Sequence, residues 1–144
     1  MPAAEDDAPA TILQGGRPKA YRPLPPADRR AAFQAGIAAY ARGDFFQAHE
    51  LLEPAWMGSP DEAEREFLQG LIKLAAAYVH SVRGNPLGMA KNLRGARARL
   101  AAAGRYPAEI DIAALLRAID ERLASVAGGA LPPLDPPKLQ RSAR

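Results

Sequence analysis

The stretch from Ser59 to Arg83 constrains the fold more than any other part of the chain, because it holds a helix that other helices must surround. Ser59, Pro60 and Glu62 form a helix start of cap, first-turn proline and capping-box acid, and Glu64 and Glu66 follow near the positive helix end. The apolar positions Phe67, Leu68, Leu71, Ile72, Leu74, Ala75, Tyr78, Val79 and Val82 then cover more than half of the circumference. One apolar stripe would need one partner. This pattern needs several, and it predicts the central element of a helical bundle.

The flanking segments supply those partners. A first helix is expected from about Asp28 to Arg42, with Phe33, Ile37, Tyr40 and Ala41 inward and Gly43 as its stop. Asp44, with Gln47 three residues on, caps a second helix whose stripe is Phe45, His49, Leu52 and Trp56, and Pro54 is expected to kink it late. Gly84, Asn85 and Pro86 close the central helix and open a fourth, which carries Leu87, Leu93, Ala96 and Leu100 inward up to Gly104. A fifth starts between Pro107 and Asp111, buries Ile112, Leu115, Leu116, Ile119 and Leu123, and ends near Ala127. Short connections make consecutive helices antiparallel neighbours. The fold class is therefore all-α, a single compact bundle of about five helices built from antiparallel helical hairpins. No segment alternates with period two for long enough to argue for a sheet.

Ten of the fourteen prolines lie in residues 1–26 and 128–144, where apolar spacing is poor. This divides the chain into a proline-rich N-terminal tail (1–26), the helical bundle (27–127) and a proline-rich basic C-terminal tail (128–144), with neither end expected in the packed core. Tyr21 and Leu24 are the expected anchors of the first tail.

The net charge of +3 needs partitioning before it implies a partner. Residues 27–127 hold thirteen basic and twelve acidic residues, and the C-terminal tail supplies the remaining excess through Lys138, Arg141 and Arg144 against Asp135. The folded unit is nearly neutral. There is no cysteine, which excludes disulfides, zinc–thiolate sites and thiol catalysis. No apolar run approaches the ~18 residues of a membrane span, and Glu5, Asp6 and Asp7 stand where a signal peptide would be basic. No membrane partner is expected, and the location expected is cytoplasmic.

The candidate chemistry lies on the second helix. His49 and Glu53 are four apart and Glu50 and Glu53 three apart, so the three side chains share a strip about one turn long. Two carboxylates this close call for a cation, a proton or a donor. A divalent metal would answer, since imidazole and carboxylate suit zinc, manganese or iron, with His80 of the central helix as a third ligand. Lys73 or Gln69, on one line with His80, could equally satisfy the carboxylates without metal. His49-Glu50-Leu51-Leu52-Glu53 is not the HExxH zinc-protease motif, because a glutamate stands where the second histidine belongs. The structural reading, favoured over chemistry, makes His49 and Glu53 a hydrogen-bonded core pair, with Glu50 at the surface or paired to an arginine.

Residues 83–105 hold Arg83, Lys91, Arg94, Arg97, Arg99 and Arg105 and no acid, whereas 44–66 hold seven acids and only Arg65. A phosphate-binding face would want these cations aligned and aromatics beside them, and no aromatic occurs before Tyr106. A solvated face pairing with the acidic region is the favoured reading over nucleic acid. Trp56 reads as a core anchor rather than a stacking platform. Gly70, Ala75, Ala76 and Ala77 allow close helix approach, either internally or in a homodimer.

From Phe46 to about Leu100 the chain carries Ala48-His49-Glu50, Glu53, Trp56, Phe67-Leu68-Gln69-Gly70-Leu71-Ile72, Ala75, His80 and Gly84-Asn85. This combination resembles the domain-of-unknown-function family 309. The resemblance implies a small all-α prokaryotic or plastid protein without an agreed biochemical activity. It also implies a shared polar pocket at the matching positions His49, Glu50, Glu53, Trp56, Gln69, Gly70, His80 and Asn85. The reading adopted is a binding or interaction module with a polar pocket of His49, Glu50, Glu53, Trp56, Gln69, Lys73 and His80. The alternative is a metal-dependent hydrolase with His49, Glu53 and His80 as ligands and Glu50 as general base.

Overall fold

Helix boundaries in this chain follow its stop and cap chemistry. The computed structural model describes residues 11–14, 17–20, 23–107 and 109–142. Five helices follow one another: α1 (Pro26–Ala41), α2 (Phe45–Met57), α3 (Glu62–Val82), α4 (Pro86–Ala102) and α5 (Ile112–Val126). Asp44, Asp61, Asn85 and Asp111 each accept a backbone amide three residues on, which satisfies one of the orphan donors at a helix start. Gly43 (φ 85°) and Gly84 (φ 76°) adopt the left-handed conformation that ends α1 and α3. Each helix packs on the next along the chain, as the short connections require.

The cap of α3 differs from expectation. Asp61, not Ser59, accepts the Glu64 amide, at 2.8 Å. Asp61 and Glu64 repeat the capping-box spacing two residues downstream, which frees Ser59 to turn inward, where it is fully buried.

Two aromatic clusters mark the two ends of the bundle. Tyr40, Phe45 and Tyr78 meet where α1 ends, α2 begins and α3 ends, with ring centroids 5.7 and 5.5 Å apart. Phe33, Phe67 and Tyr106 meet at the opposite end, at 5.9 and 5.8 Å. Leu52, Leu71, Leu74, Leu93, Leu100, Leu115 and Ile119 fill the space between them. Gly70 lets α4 approach α3, since a Cβ there would lie 2.6 Å from Leu100 Cγ. Ala75 and Ala77 are fully buried, so these two serve internal packing, whereas Ala76 is half-buried.

Three apolar positions expected inside are outside: Ala41, Val82 and Leu87 are exposed. All three sit at helix ends, beyond the reach of the neighbouring helix.

The proline-rich C-terminal stretch, expected to stay out of the core, docks along the bundle. Pro137 is buried and its carbonyl accepts the Tyr40 hydroxyl at 2.6 Å. Leu131 and Leu139 pack on the core, and Asp111 N donates to Gln140 O at 2.9 Å. Extended, proline-rich backbone packs through isolated side chains and its own carbonyls, which leaves no periodic signature. Upstream, Thr11–Gln14 and Arg17–Ala20 pair as an antiparallel hairpin, although no sheet was expected. The Gly15-Gly16 pair in the sequence is a hairpin signal that could have been used. Leu24 is half-buried and its amide donates to Gly58 O at 3.3 Å, whereas Tyr21 lies outside the described residues.

Candidate functional site

His49 and Glu50 sit at the rim of α2, with side chains 29% and 53% exposed and His49 Nδ1 3.4 Å from Glu50 Oε2. The stripe that does enter the core is Phe45, Ala48, Leu52, Ala55 and Trp56. Trp56 is thus a core anchor. His49 lies at the edge of that stripe, half-buried, and Glu53 beside it is half-buried as well.

His80 is held elsewhere. Tyr78 points from α3 toward Phe45 of α2. His80, two residues later and so roughly 160° around the helix, faces α4. There Asn85 Nδ2 is 3.2 Å from its Nδ1, and a Cβ on Gly88 would lie 2.5 Å from the same nitrogen. Lys73 lies along the same interface, its Cδ 2.8 Å from where a Gly95 Cβ would sit. Burial, with Arg99 and Lys91 nearby, holds the Lys73 ammonium below the usual lysine range. Gln69 is buried, and its Oε1 has no hydrogen-bond partner among the described residues. The expected pocket therefore divides: Trp56 joins the core, Lys73 and His80 line the α3–α4 seam, and His49 and Glu50 stay on the α2 rim. No three His, Asp or Glu side chains among the described residues are gathered to hold a metal ion, so His49, Glu53 and His80 do not form the expected ligand set.

A different cluster is built at the other end of the bundle. Glu64, in the first turn of α3, accepts from the Ser59 hydroxyl and, at 2.8 Å, from the Tyr106 hydroxyl. Arg29 Nε of α1 lies 3.3 Å from the same carboxylate, close in distance but off the hydrogen-bond axis, while its Nη1 donates to Leu24 O at 2.7 Å. Arg29 and Glu64 are each only 20% exposed. Burial, with the Glu64 hydrogen bond and charge, pushes the Tyr106 phenol well above the usual tyrosine range. Around this knot, Pro26, Phe33, Ala55, Phe67 and Leu68 form apolar walls, and Arg30 and Glu109 stand at the mouth of a cleft of about 360 Å³. Arg30 carries no ion pair among the described residues.

This cluster leaves no local signature in the sequence, because Arg29 and Tyr106 lie 35 and 42 positions from Glu64 and the three come from different helix ends. Glu64 reads as first-turn acid. A lone aromatic in a loop, Tyr106 beside Pro107, was the available signal.

The basic stretch resolves as its favoured reading held, in part. Arg99 pairs with Glu66 of the acidic region at 3.0 Å, and Arg97 pairs with Asp120 of α5 at 2.6 Å.

Residues 33–92 match the model of the family described as "Domain of unknown function (DUF309)". A relative from Bacillus subtilis (strain 168), described as "Uncharacterized protein YpuF", is 36% identical over 59 residues, covering 38% of this chain and 34% of the relative. The match thus spans about a third of the length of that curated relative. No solved structure matches the chain. The matched stretch contains His49, Glu53, Glu64, Phe67 and His80, whereas Arg29 and Tyr106 of the cleft lie outside it.

Among the described residues, no helix is long and apolar enough to cross a membrane.

Proposed function

We propose that the protein is a ligand-binding helical module whose site is the Glu64 cleft rather than the His49 strip. The observation that carries this reading is the union of aromatic walls with a partly buried, hydrogen-bonded carboxylate in a concavity of about 360 Å³. Small-molecule sites have this composition, mostly apolar with a few placed polar groups, and volumes of roughly 300 Å³ and above.

Glu64 already accepts from two hydroxyls and is paired with Arg29, so its lone pairs orient the wall instead of awaiting a substrate proton. The unpaired capacity belongs to Arg30 at the mouth. The ligand class is a molecule with a ring-sized apolar body, seated between Phe33, Phe67 and Tyr106, and an anionic or carbonyl group reaching Arg30.

A thermal-shift screen of small aromatic acids and amides tests this. A ligand at a hundredfold its Kd adds about 2.7 kcal/mol to stability. Stabilisation by a hit should vanish in Tyr106→Ala and weaken in Arg30→Ala while surviving in His49→Ala. Hits that ignore Tyr106→Ala and disappear in His49→Ala would return the site to α2.

A further inference from the structure

Residues 131–141 form no helix or strand of their own, yet they are seated on the bundle as a bound peptide would be. The Tyr40 hydroxyl of α1 donates to Pro137 O at 2.6 Å. Arg122 of α5 donates from Nε to Asp135 O at 3.0 Å and from Nη2 to the Asp135 carboxylate at 3.1 Å. Further on, Asp111 N donates to Gln140 O at 2.9 Å and Ser142 N to Glu109 O at 3.0 Å, an antiparallel bridge of Ile110 with Arg141. An aromatic-lined groove for prolines and a main-chain bridge for extended backbone are the two means by which folded domains hold peptides of this kind.

The seat is not closed. Cavities of about 290 and 360 Å³ remain on either side of the Arg122–Asp135 contact, one between Tyr78, Ser125 and Pro132, the other between Arg117, Pro136 and Lys138. A packed core leaves few voids of this size. Tyr78 of α3, itself 1% exposed, lines the smaller one, and its hydroxyl lies near the Arg122 guanidinium without a well-aligned hydrogen bond among the described residues. The segment is joined to α5 through Gly128, Gly129 and Ala130, all exposed, and neither glycine has a neighbour within 4 Å of where a Cβ would sit. Such a joint lets the segment leave and return.

We propose that the groove of Tyr40, Tyr78 and Arg122 is a docking surface for an extended, proline-rich, acid-bearing segment of a partner protein, and that residues 131–141 are a tethered occupant which that segment displaces. The occupant in place defines the partner's chemistry: paired prolines that arrive already extended, and a carboxylate for Arg122. The tether lowers the partner's apparent affinity by the fraction of time the groove stands open. A second copy is the weaker occupant, because it offers the same segment that each chain already holds at a high effective concentration. The proposal does not depend on the Glu64 cleft.

Fluorescence anisotropy with a labelled peptide of residues 130–142, added to the full chain, tests it. Pro137→Asp puts a charge on the buried anchor and expels the chain's own segment, so this variant should take the peptide at least about tenfold more tightly than the parent does. Adding Arg122→Ala to it should weaken binding about tenfold. A peptide with Asp135→Lys should bind about fivefold more weakly, whereas one with Leu134→Ala and Lys138→Ala, both exposed positions, should bind as the native peptide does. No binding by folded Pro137→Asp, or equal binding with and without Arg122, would overturn the proposal. Loss of the helices in Pro137→Asp, followed by circular dichroism, would make the segment an inseparable part of the fold and overturn it as well. Light scattering that shows a dimer of the parent, dissolved by Pro137→Asp, would overturn it in favour of segment exchange between copies.

Discussion

Replacing Glu64 with glutamine keeps the shape of the side chain and removes the charge around which one end of the bundle is organised. The carboxylate accepts from the Ser59 and Tyr106 hydroxyls and faces Arg29 Nε at 3.3 Å. An amide retains one acceptor oxygen and turns two N–H donors toward the remaining partner. A hydroxyl can rotate and accept from that amide, but a guanidinium cannot. The loss therefore falls mainly on Arg29, whose Nε is shut away from solvent. A hydrogen bond or contact to a charged group is worth roughly 1.5–3 kcal/mol. Both side chains are 20% exposed, which screens part of this, so Glu64→Gln is expected to cost about 1–3 kcal/mol in urea unfolding. A second readout is local. Burial is the largest cause holding the Tyr106 phenol up, followed by the Glu64 hydrogen bond and charge. In Glu64→Gln its titration, followed by NMR of ring-labelled tyrosine, should move down toward the ordinary range while staying above it. A stability change under about 0.5 kcal/mol, the range of an indifferent surface substitution, together with an unmoved Tyr106 titration, would show that Glu64 does not organise this end of the bundle.

The other predictions concern packing, the C-terminal segment and alkali. Gly95→Ala should stabilise by up to about 1 kcal/mol in thermal unfolding, since its Cβ meets only the flexible Lys73 stem at 2.8 Å. Gly70→Ala should destabilise by about 1–2 kcal/mol, because the new methyl lands 2.6 Å from Leu100 Cγ and 3.3 Å from its backbone nitrogen. Truncation after Gly129 should cost about 2–4 kcal/mol in urea unfolding and speed amide exchange at 109–111, since it removes Pro137, the Tyr40 bond and the Gln140–Asp111 contact. Tyr40, Tyr78 and Tyr106 all have phenols raised above the ordinary value, chiefly by burial, with Tyr78 pushed up to about 12. The unfolded chain then loses those protons first, so their stabilisation is complete below about pH 10 and is lost as pH rises through the folded values. Urea midpoints measured across that range should fall, and Tyr78→Phe should flatten the fall at little cost near neutrality, because the Tyr78 hydroxyl, although the Arg122 guanidinium is near it, makes no well-aligned hydrogen bond among the described residues.

The five helices were legible because cap residues and apolar spacing agree locally: Asp44, Asn85 and the glycines 43 and 84 announce boundaries that tertiary packing then keeps. Ser59 shows the limit of that reading. It has the chemistry of a cap, but the half-buried Glu64 carboxylate in the first turn of α3 recruits its hydroxyl, and Asp61 takes over the cap. The His49 strip was legible as a strip and not as a site, because helical spacing fixes which residues share a face and not what the face meets. His80 has Gly88 and Asn85 before it, where the sequence alone also allowed His49. The Glu64 cleft was invisible because its walls come from α1, α3 and the loop before α5. The C-terminal segment was missed for want of any period, although Pro137 is among the most buried residues of the chain.

NMR mapping with ring-labelled phenylalanine, tyrosine and histidine distinguishes binding at the Glu64 end from binding at the His49 strip. Titrating a screened aromatic acid should perturb Phe33, Phe67 and Tyr106 while the ring signals of His49 and His80 stay in place. Perturbations concentrated on His49 and His80, with Tyr106 unmoved, would move the binding site to the other end of the bundle.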